Sequence, residues 1–252
     1  MIDIHSHILP GLDDGPRTWE ESLEMVRIAA RAGTTDIVAT PHANLEFTFD
    51  PEVAAQRIAE LASAAGPQPR IHRGCDLHLS YDNIRQALAE PARFTIDGGR
   101  YLLVEFPDLL VIRTAGEIFD KLLQAGIVPI ITHPERNELL QQRLEELEGW
   151  VEQGCRLQLT AQSFLGRFGR QAKEFAELLV RRGLAHVVAS DAHDTVDRPP
   201  DLAGAFEYLR RKFGEEPARR LLIENPRCVL ESAPIAAAQP VSPNARKWYR
   251  FW

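Results

Sequence analysis

His5 and His7 stand one residue apart near the start of the chain, and imidazoles and carboxylates recur at intervals after them. Alternate residues of a β-strand share a face, so two histidines spaced this way can bind one metal ion. The pattern continues through the chain. His42 follows the run Asp36 to Thr40, Asp76 closes Arg70 to Asp76, Glu105 lies near the end of Tyr101 to Phe106, and His133 ends Ile127 to His133. Asp191 and His193 follow His186 to Ser190, again one residue apart, and Asp14 sits in the loop Leu12-Asp13-Asp14-Gly15-Pro16. A lone H-x-H is commonly two polar residues at a strand end. Nine nitrogen and oxygen donors, each at or beyond the end of an expected strand, point instead to a metal centre. A catalytic zinc ion takes about three protein ligands, so this set implies two or three ions. Imidazole and carboxylate without thiolate suit Mn²⁺, Fe²⁺ or Zn²⁺. Without metal the same groups would crowd unpaired charges together, which is costly.

Seven short β-branched runs supply these positions: Ile2 to Ile8, Asp36 to Thr40, Arg70 to Asp76, Tyr101 to Phe106, Ile127 to His133, Cys155 to Thr160 and His186 to Ser190. Each precedes an amphipathic helical stretch. Thr18 with Glu21 forms a capping-box pattern, and Asp50 before Pro51 marks an N-cap with proline at the first helical position. Gly33, Gly126, Gly154 and Gly183 are helix stops. Val128-Pro129-Ile130-Ile131 and Val187-Val188-Ala189 are apolar without alternation, as in parallel strands covered on both faces. The repeated βα units predict an α/β protein with a parallel sheet, closed or doubly wound. Parallel α/β folds carry their sites at the carboxyl ends of strands, where all nine donors fall. A length of 252 residues fits two average domains or one barrel. Donors from the first strand to the seventh favour one domain, because any cut would divide the site.

The charge balance, 29 Lys+Arg against 36 Asp+Glu for a net −7, argues against a nucleic-acid or anionic-membrane surface. Cys75, Cys155 and Cys228 are too few and too scattered for a disulfide framework, which points to a reducing compartment, the cytoplasm by default. No apolar run reaches the roughly 18 to 20 residues of a membrane span, so no membrane insertion is expected. His186 and His72 read as structural, and His78 as a rim residue. Arg136 and Arg198 lie in loops beyond the expected fifth and seventh strands, where guanidinium groups can grip a phosphate. From about Pro234 the composition changes to alanines and prolines and then Arg246-Lys247-Trp248-Tyr249-Arg250-Phe251-Trp252, a packing or docking tail.

The runs Met1-Ile2-Asp3-Ile4-His5-Ser6-His7, Asp13-Asp14-Gly15-Pro16, Thr40-Pro41-His42, Glu105-Phe106, His133-Pro134-Glu135-Arg136, Ala189-Ser190-Asp191-Ala192-His193, Arg198-Pro199-Pro200 and Asn225-Pro226-Arg227 resemble the PHP (polymerase and histidinol phosphatase) superfamily. Within it they are similar to the CpsB/CapC/YwqE-type bacterial protein-tyrosine phosphatases of capsular and exopolysaccharide synthesis. The resemblance covers residues 1–231 and leaves 232–252 as the tail. It implies a distorted seven-stranded (β/α) barrel of the PHP type with a trinuclear site that favours manganese. By position, His5, His7, Asp76 and Asp191 would hold one ion, and Asp76, Glu105 and His133 a second. Asp14, His42 and His193 would hold the third. Arg136 and Arg198 match phosphate-gripping arginines, and the family usually has Glu where this chain has Asp76.

The activity implied is hydrolysis of a phosphomonoester by a metal-bridging hydroxide, with His193 or a bound water protonating the leaving group. The expected substrate is a phosphotyrosine protein, a membrane-bound tyrosine kinase. The thiolate route to the same reaction needs Arg six residues after Cys. Here those positions hold Tyr81, Ala161 and Pro234, which excludes it. Competing readings are a phosphatase or phosphodiesterase of the same fold acting on histidinol phosphate or a nucleotide, an amidohydrolase, and a metal-stabilised binding module without turnover. The absence of lysine between Met1 and Leu110 argues against the amidohydrolase arrangement.

Overall fold

The computed structural model describes residues 1–107, 109–236 and 240–241. Its strands are β1 (Ile2–Ser6), β2 (Asp36–Ala39), β3 (His42–Ala43), β4 (Arg70–Arg73), β5 (Asp76–His78), β6 (Tyr101–Glu105), β7 (Val128–Thr132), β8 (Arg156–Thr160) and β9 (Val187–Ala189). All seven expected runs form strands, but the third is split into β4 and β5, and a further short strand, β3, follows the second run. The strands lie in two parallel sheets, β1-β2-β4 and β3-β5-β6-β7-β8-β9, rather than in one closed ladder. An isolated parallel bridge, Ser6 to Ala192, links β1 to the segment after β9.

The breaks have local causes. Pro41 has no N–H to continue the ladder after Ala39, and its carbonyl accepts from Asp76 N at 3.2 Å. Gly74 lies where the chains crowd: a Cβ there would meet Val38 Cγ1 at 2.9 Å and Thr40 Cγ2 at 3.0 Å. The chain resumes as β3 and β5, still parallel, with His42 opposite Asp76. Two proposed ligands are thereby neighbours across the ladder.

The helical punctuation operates mostly as expected. Thr18 Oγ1 accepts from Glu21 N at the start of Trp19–Arg31. The return bond of the capping box is displaced, since Glu21 Oε2 accepts from Arg17 N instead. Asp50 Oδ1 accepts from both Glu52 N and Val53 N and starts Pro51–Ala65. Gly183 ends Gly169–Arg182 in the left-handed region, at φ 72°, which a Cβ would penalise.

Alternate strand residues feed separate apolar layers. Ile2, Ile4, Val38, Tyr101, Leu103, Val128, Ile130, Val187 and Ala189, drawn from both sheets, form one buried cluster. Their neighbours Leu102, Val104, Ile131, Leu157, Leu159 and Val188 pack with the helices. The strands are thus covered on both faces, as the unbroken apolar runs required. Ile235 also joins the two-sheet cluster, and Tyr101 Oη donates to Ala233 O at 2.6 Å. The first residues after 231 therefore pack on the strands; the aromatic, basic segment Arg246 to Trp252 lies outside the described residues.

Candidate metal centre

All nine proposed donors converge at the carboxyl ends of the strands. The Nε2 atoms of His5 and His7 lie 3.2 Å apart, as the strand period predicts. Asp76 Oδ2 is 3.6 Å from His5 Nε2, and Asp191 Oδ1 is 3.4 Å and 3.5 Å from the two imidazoles. His5, His7 and Asp76 form a group that could hold an ion, with Asp191 beside its two imidazoles.

The second and third groups differ in membership. His42, Asp76 and Glu105 form one cluster, with His42 Nδ1 3.2 Å from Asp76 and 3.6 Å from Glu105. His133 contacts the edge of that cluster, its Nε2 3.4 Å from Glu105 Oε1. The other cluster joins His7 to Asp14, His42 and His193. Asp14 Oδ1 is 3.4 Å from His42 Nε2 and 3.3 Å from His193 Nε2. His42 and His7 thus each face two clusters. Asp14 is exposed, so this cluster marks the open side of the centre.

His133 and Asp191 hold their side chains from strained backbone, at φ 33° and 51°. Non-glycine residues in this region persist where surrounding structure enforces them, commonly at functional sites. Asp191 is fixed by Asp191 N donating to His5 O at 2.9 Å.

The sequence reading missed the groups that orient the imidazoles. Asp13 Oδ2 is 2.6 Å from His7 Nδ1 and accepts from His42 N at 3.1 Å, while its Oδ1 accepts from Gly15 N. Gln158 Oε1 is 2.9 Å from His5 Nδ1. Each contact holds a proton on Nδ1 and leaves Nε2 as the ligand nitrogen. Adjacent Asp13-Asp14 was a signal for the first, whereas Gln158 lies 153 residues from its partner and had none. Glu135 is buried behind the site, and its Oε1 accepts from Thr160 N and Ser163 Oγ, each at 2.7 Å.

The charge distribution tests whether cations fit. Asp76 is fully buried, and one of its oxygens is met by two imidazoles, His5 Nε2 at 3.6 Å and His42 Nδ1 at 3.2 Å. Burial and the Asp76 charge push the Glu105 carboxyl up to about 8. Burial opposes protonation of His5 and His42, yet the facing carboxylates raise them to about 9 and about 10. Burial and the Arg136 charge hold His133 well below its ordinary value, while burial and His7 lower His193 to about 4. Crowded carboxylates that otherwise draw protons onto neighbouring imidazoles suit divalent cations.

Arg136 and Arg198 both donate to Asp191 Oδ2, the oxygen other than the one facing His5 and His7. The Arg136 guanidinium lies 4.2 Å from the centroid of the Phe168 ring, and Arg198 Nε is buried without a hydrogen-bond partner. Two of the three thiols are unsuited to nucleophilic attack: burial raises Cys75 well above its usual value and Cys155 to about 12. Of the other histidines, His186 is a core residue whose Nδ1 accepts from Leu157 N. His72 bridges Asp36 and Asp97. His78 borders a cleft beside the site.

A family model for capsular polysaccharide synthesis proteins, CpsB/CapC, matches residues 1–231. Over 100% of both chains, the sequence is 36% identical to the tyrosine-protein phosphatase YwqE of Bacillus subtilis. It is 32% identical to the putative tyrosine-protein phosphatase CapC of Staphylococcus aureus, covering 99% of each chain. The fold also matches a crystal structure of YwqE from Bacillus subtilis and CpsB from Streptococcus pneumoniae, described as unique metal-dependent tyrosine phosphatases. The TM-score is 0.86 at 36% identity, covering 98% of this chain and 100% of the other.

Proposed function

Because the chain belongs to the CpsB/CapC family of capsular polysaccharide synthesis proteins, we propose that it is a metal-dependent tyrosine-protein phosphatase. Its substrate is a phosphotyrosine protein, a membrane-bound tyrosine kinase of capsular or exopolysaccharide synthesis. The observation that carries the reading is Asp191. One oxygen faces the imidazole cluster and the other receives two arginines, so a cation site and a phosphate grip meet on one carboxylate.

On this reading the nine strand segments are seven strands of one distorted barrel. The apolar cluster drawn from both sheets and the bridge from Ser6 to Ala192 support it. Residues 1–231 are the catalytic unit, and 232–252 are a tail that begins by packing on it. No helix of the described residues is long and apolar enough to cross a membrane, in keeping with an enzyme that works in the cytoplasm. Two or three divalent ions, manganese first, are held by His5, His7, Asp14, His42, Asp76, Glu105, His133, Asp191 and His193.

Bound divalent ions supply Lewis acidity, which makes water a nucleophile near neutral pH and offsets charge on phosphate oxygens. Arg136 and Arg198 orient the ester. Each guanidinium carries five N–H donors, so sharing Asp191 Oδ2 leaves several for phosphate, Arg198 Nε among them. Burial keeps His193 neutral at pH 7, which suits it to hold a cation rather than donate a proton. A tyrosine leaving group, with a pKa of about 10, needs less protonation than an alkoxide.

Turnover of phosphotyrosine peptides, phosphoserine peptides, histidinol phosphate and other small esters, measured with Mn²⁺ present and after chelation, tests the reading. Metal-dependent preference for phosphotyrosine is expected. Preference for a small metabolite, or tight metal binding without turnover of any ester, overturns it.

A further inference from the structure

The exposed large hydrophobic side chains among the described residues all lie at one end of the molecule. Leu45 follows β3, Val53 lies in the first turn of the helix it leads to, and Tyr81 follows β5. Leu109 and Leu110 follow β6, Leu165 follows β8 and Val196 follows β9. Because the strands in both sheets are parallel, these positions share the carboxyl end with the metal centre. Among the described residues, none lies in a connection returning from helix to strand. Exposed apolar groups scattered singly carry no message, but their confinement around a site does.

The segment after β3 ties this rim to the centre. Asn44 Oδ1 accepts from Glu46 N at 2.9 Å and Phe47 N at 2.8 Å, and Asn44 N donates to Phe47 O at 3.0 Å. That turn holds Leu45 at its tip, 99% exposed. Phe47 lies nearly parallel to the His42 ring, with centroids 6.3 Å apart and planes at 14°. Leu45, Phe47 and Tyr81 line a cleft of about 340 Å³, so a wall of this cleft stacks on a proposed ligand.

We propose that this apolar rim binds the polypeptide on either side of the phosphotyrosine, and that the enzyme selects substrates with apolar residues flanking the ester. The inference rests on the function proposed above. A chain that delivers its phosphotyrosine to the centre must cross the rim, and the cleft lies beside the centre, with Phe47 of its wall against the His42 ring. A free small phosphate ester needs the centre alone. Apolar contacts of this kind would appear in the apparent affinity for a peptide and leave chemistry on a small aryl phosphate unaltered.

The test uses the full-length protein with Mn²⁺ and three probes: a phosphotyrosine peptide flanked by Leu and Val, one of equal length flanked by Ser and Gly, and p-nitrophenyl phosphate. The double variants Leu45→Ser/Tyr81→Ser and Leu109→Ser/Val196→Ser are compared with the parent. We expect the parent to favour the apolar-flanked peptide. At least one double variant should raise its KM by about tenfold, with p-nitrophenyl phosphate kinetics within about twofold of the parent as the control for folding. Equal KM for the two peptides, or unchanged peptide KM in both variants, overturns the inference while leaving tyrosine-phosphatase activity standing. Failure of the parent on every phosphotyrosine peptide overturns both. Altered self-association or vesicle binding in the variants with peptide kinetics unchanged assigns the rim to another partner and also overturns it.

Discussion

Arg136 donates from Nη1 to Asp191 Oδ2, while Asp191 Oδ1 faces His5 and His7 at 3.4 Å and 3.5 Å. The carboxylate therefore couples the phosphate grip to the cation cluster. Arg198 binds the same oxygen at 2.5 Å, so loss of one arginine leaves Asp191 restrained by the other. Arg136→Ala should lower kcat/KM on phosphotyrosine peptides by about 100-fold or more, as for other groups that stabilise transition-state charge. Metal content, measured by elemental analysis, should stay near that of the parent. Arg136→Lys restores the charge without the planar fork and should recover only part of the rate. Unchanged turnover in the alanine variant would remove the proposed role.

Asp13 acts through its neighbours. Its Oδ2 is 2.6 Å from His7 Nδ1 and accepts from His42 N, so one carboxylate orients two imidazole-bearing residues. Outer carboxylates of this type are worth about 10- to 100-fold in metal affinity. Asp13→Ala should weaken Mn²⁺ binding by that factor in a calorimetric titration, and excess Mn²⁺ should rescue much of the activity. A loss of turnover that metal cannot restore, with parental affinity, would assign Asp13 to another task.

The positions of Asp13 and the nine donors show what a linear reading captures. His5 with His7, and the strand ends at Asp76, Glu105 and His133, were legible because strand alternation and parallel βα order depend on near neighbours. Gln158 was not legible, since its contact with His5 is created only by the sheet. The breaks after Ala39 and Arg73 were signalled by Pro41 and Gly74, but a break changes ligand grouping only through the register it sets, His42 opposite Asp76. That register brings His42 to Asp76 and Glu105, the pair expected to hold an ion with His133. The apolar rim was equally hidden, because Leu45 and Val196 differ from core residues only in where the folded chain leaves them.

Asp76 makes metal removal a stability experiment. Asp76 is fully buried, and in the chelated protein its charge is balanced by the His5 and His42 imidazoles at 3.6 Å and 3.2 Å, which a bound divalent cation replaces with a stronger partner. Mn²⁺ should raise the melting temperature of the chelated protein, with stabilisation of about 2.7 kcal/mol once free ion exceeds its Kd by about 100-fold. Asp76→Asn removes the charge at nearly constant volume. Its melting temperature should respond much less to Mn²⁺ than that of the parent. A parental Mn²⁺ response in this variant would show that Asp76 does not hold the cation.

His72 gives a pH dependence separate from the metal centre. Its Nδ1 is 2.7 Å from Asp97 Oδ2 and its Nε2 is 3.0 Å from Asp36 Oδ1. Carboxylates only accept, so both contacts are satisfied together when the imidazole carries two protons. The Asp97 hydrogen bond, aided by Asp36 and opposed by partial burial, raises the His72 pKa, and both carboxyls are lowered by burial-opposed contacts with His72. The folded chain therefore binds this proton more tightly than the unfolded chain, whose imidazole titrates near 6.5. The resulting stabilisation is full below that value and is lost as pH rises through the folded pKa. His72→Gln should thus cost more stability at about pH 6 than at about pH 9, measured by urea unfolding of the metal-loaded protein at both. An equal loss at the two pH values would mean that His72 contributes through packing and neutral hydrogen bonds, not through its charge.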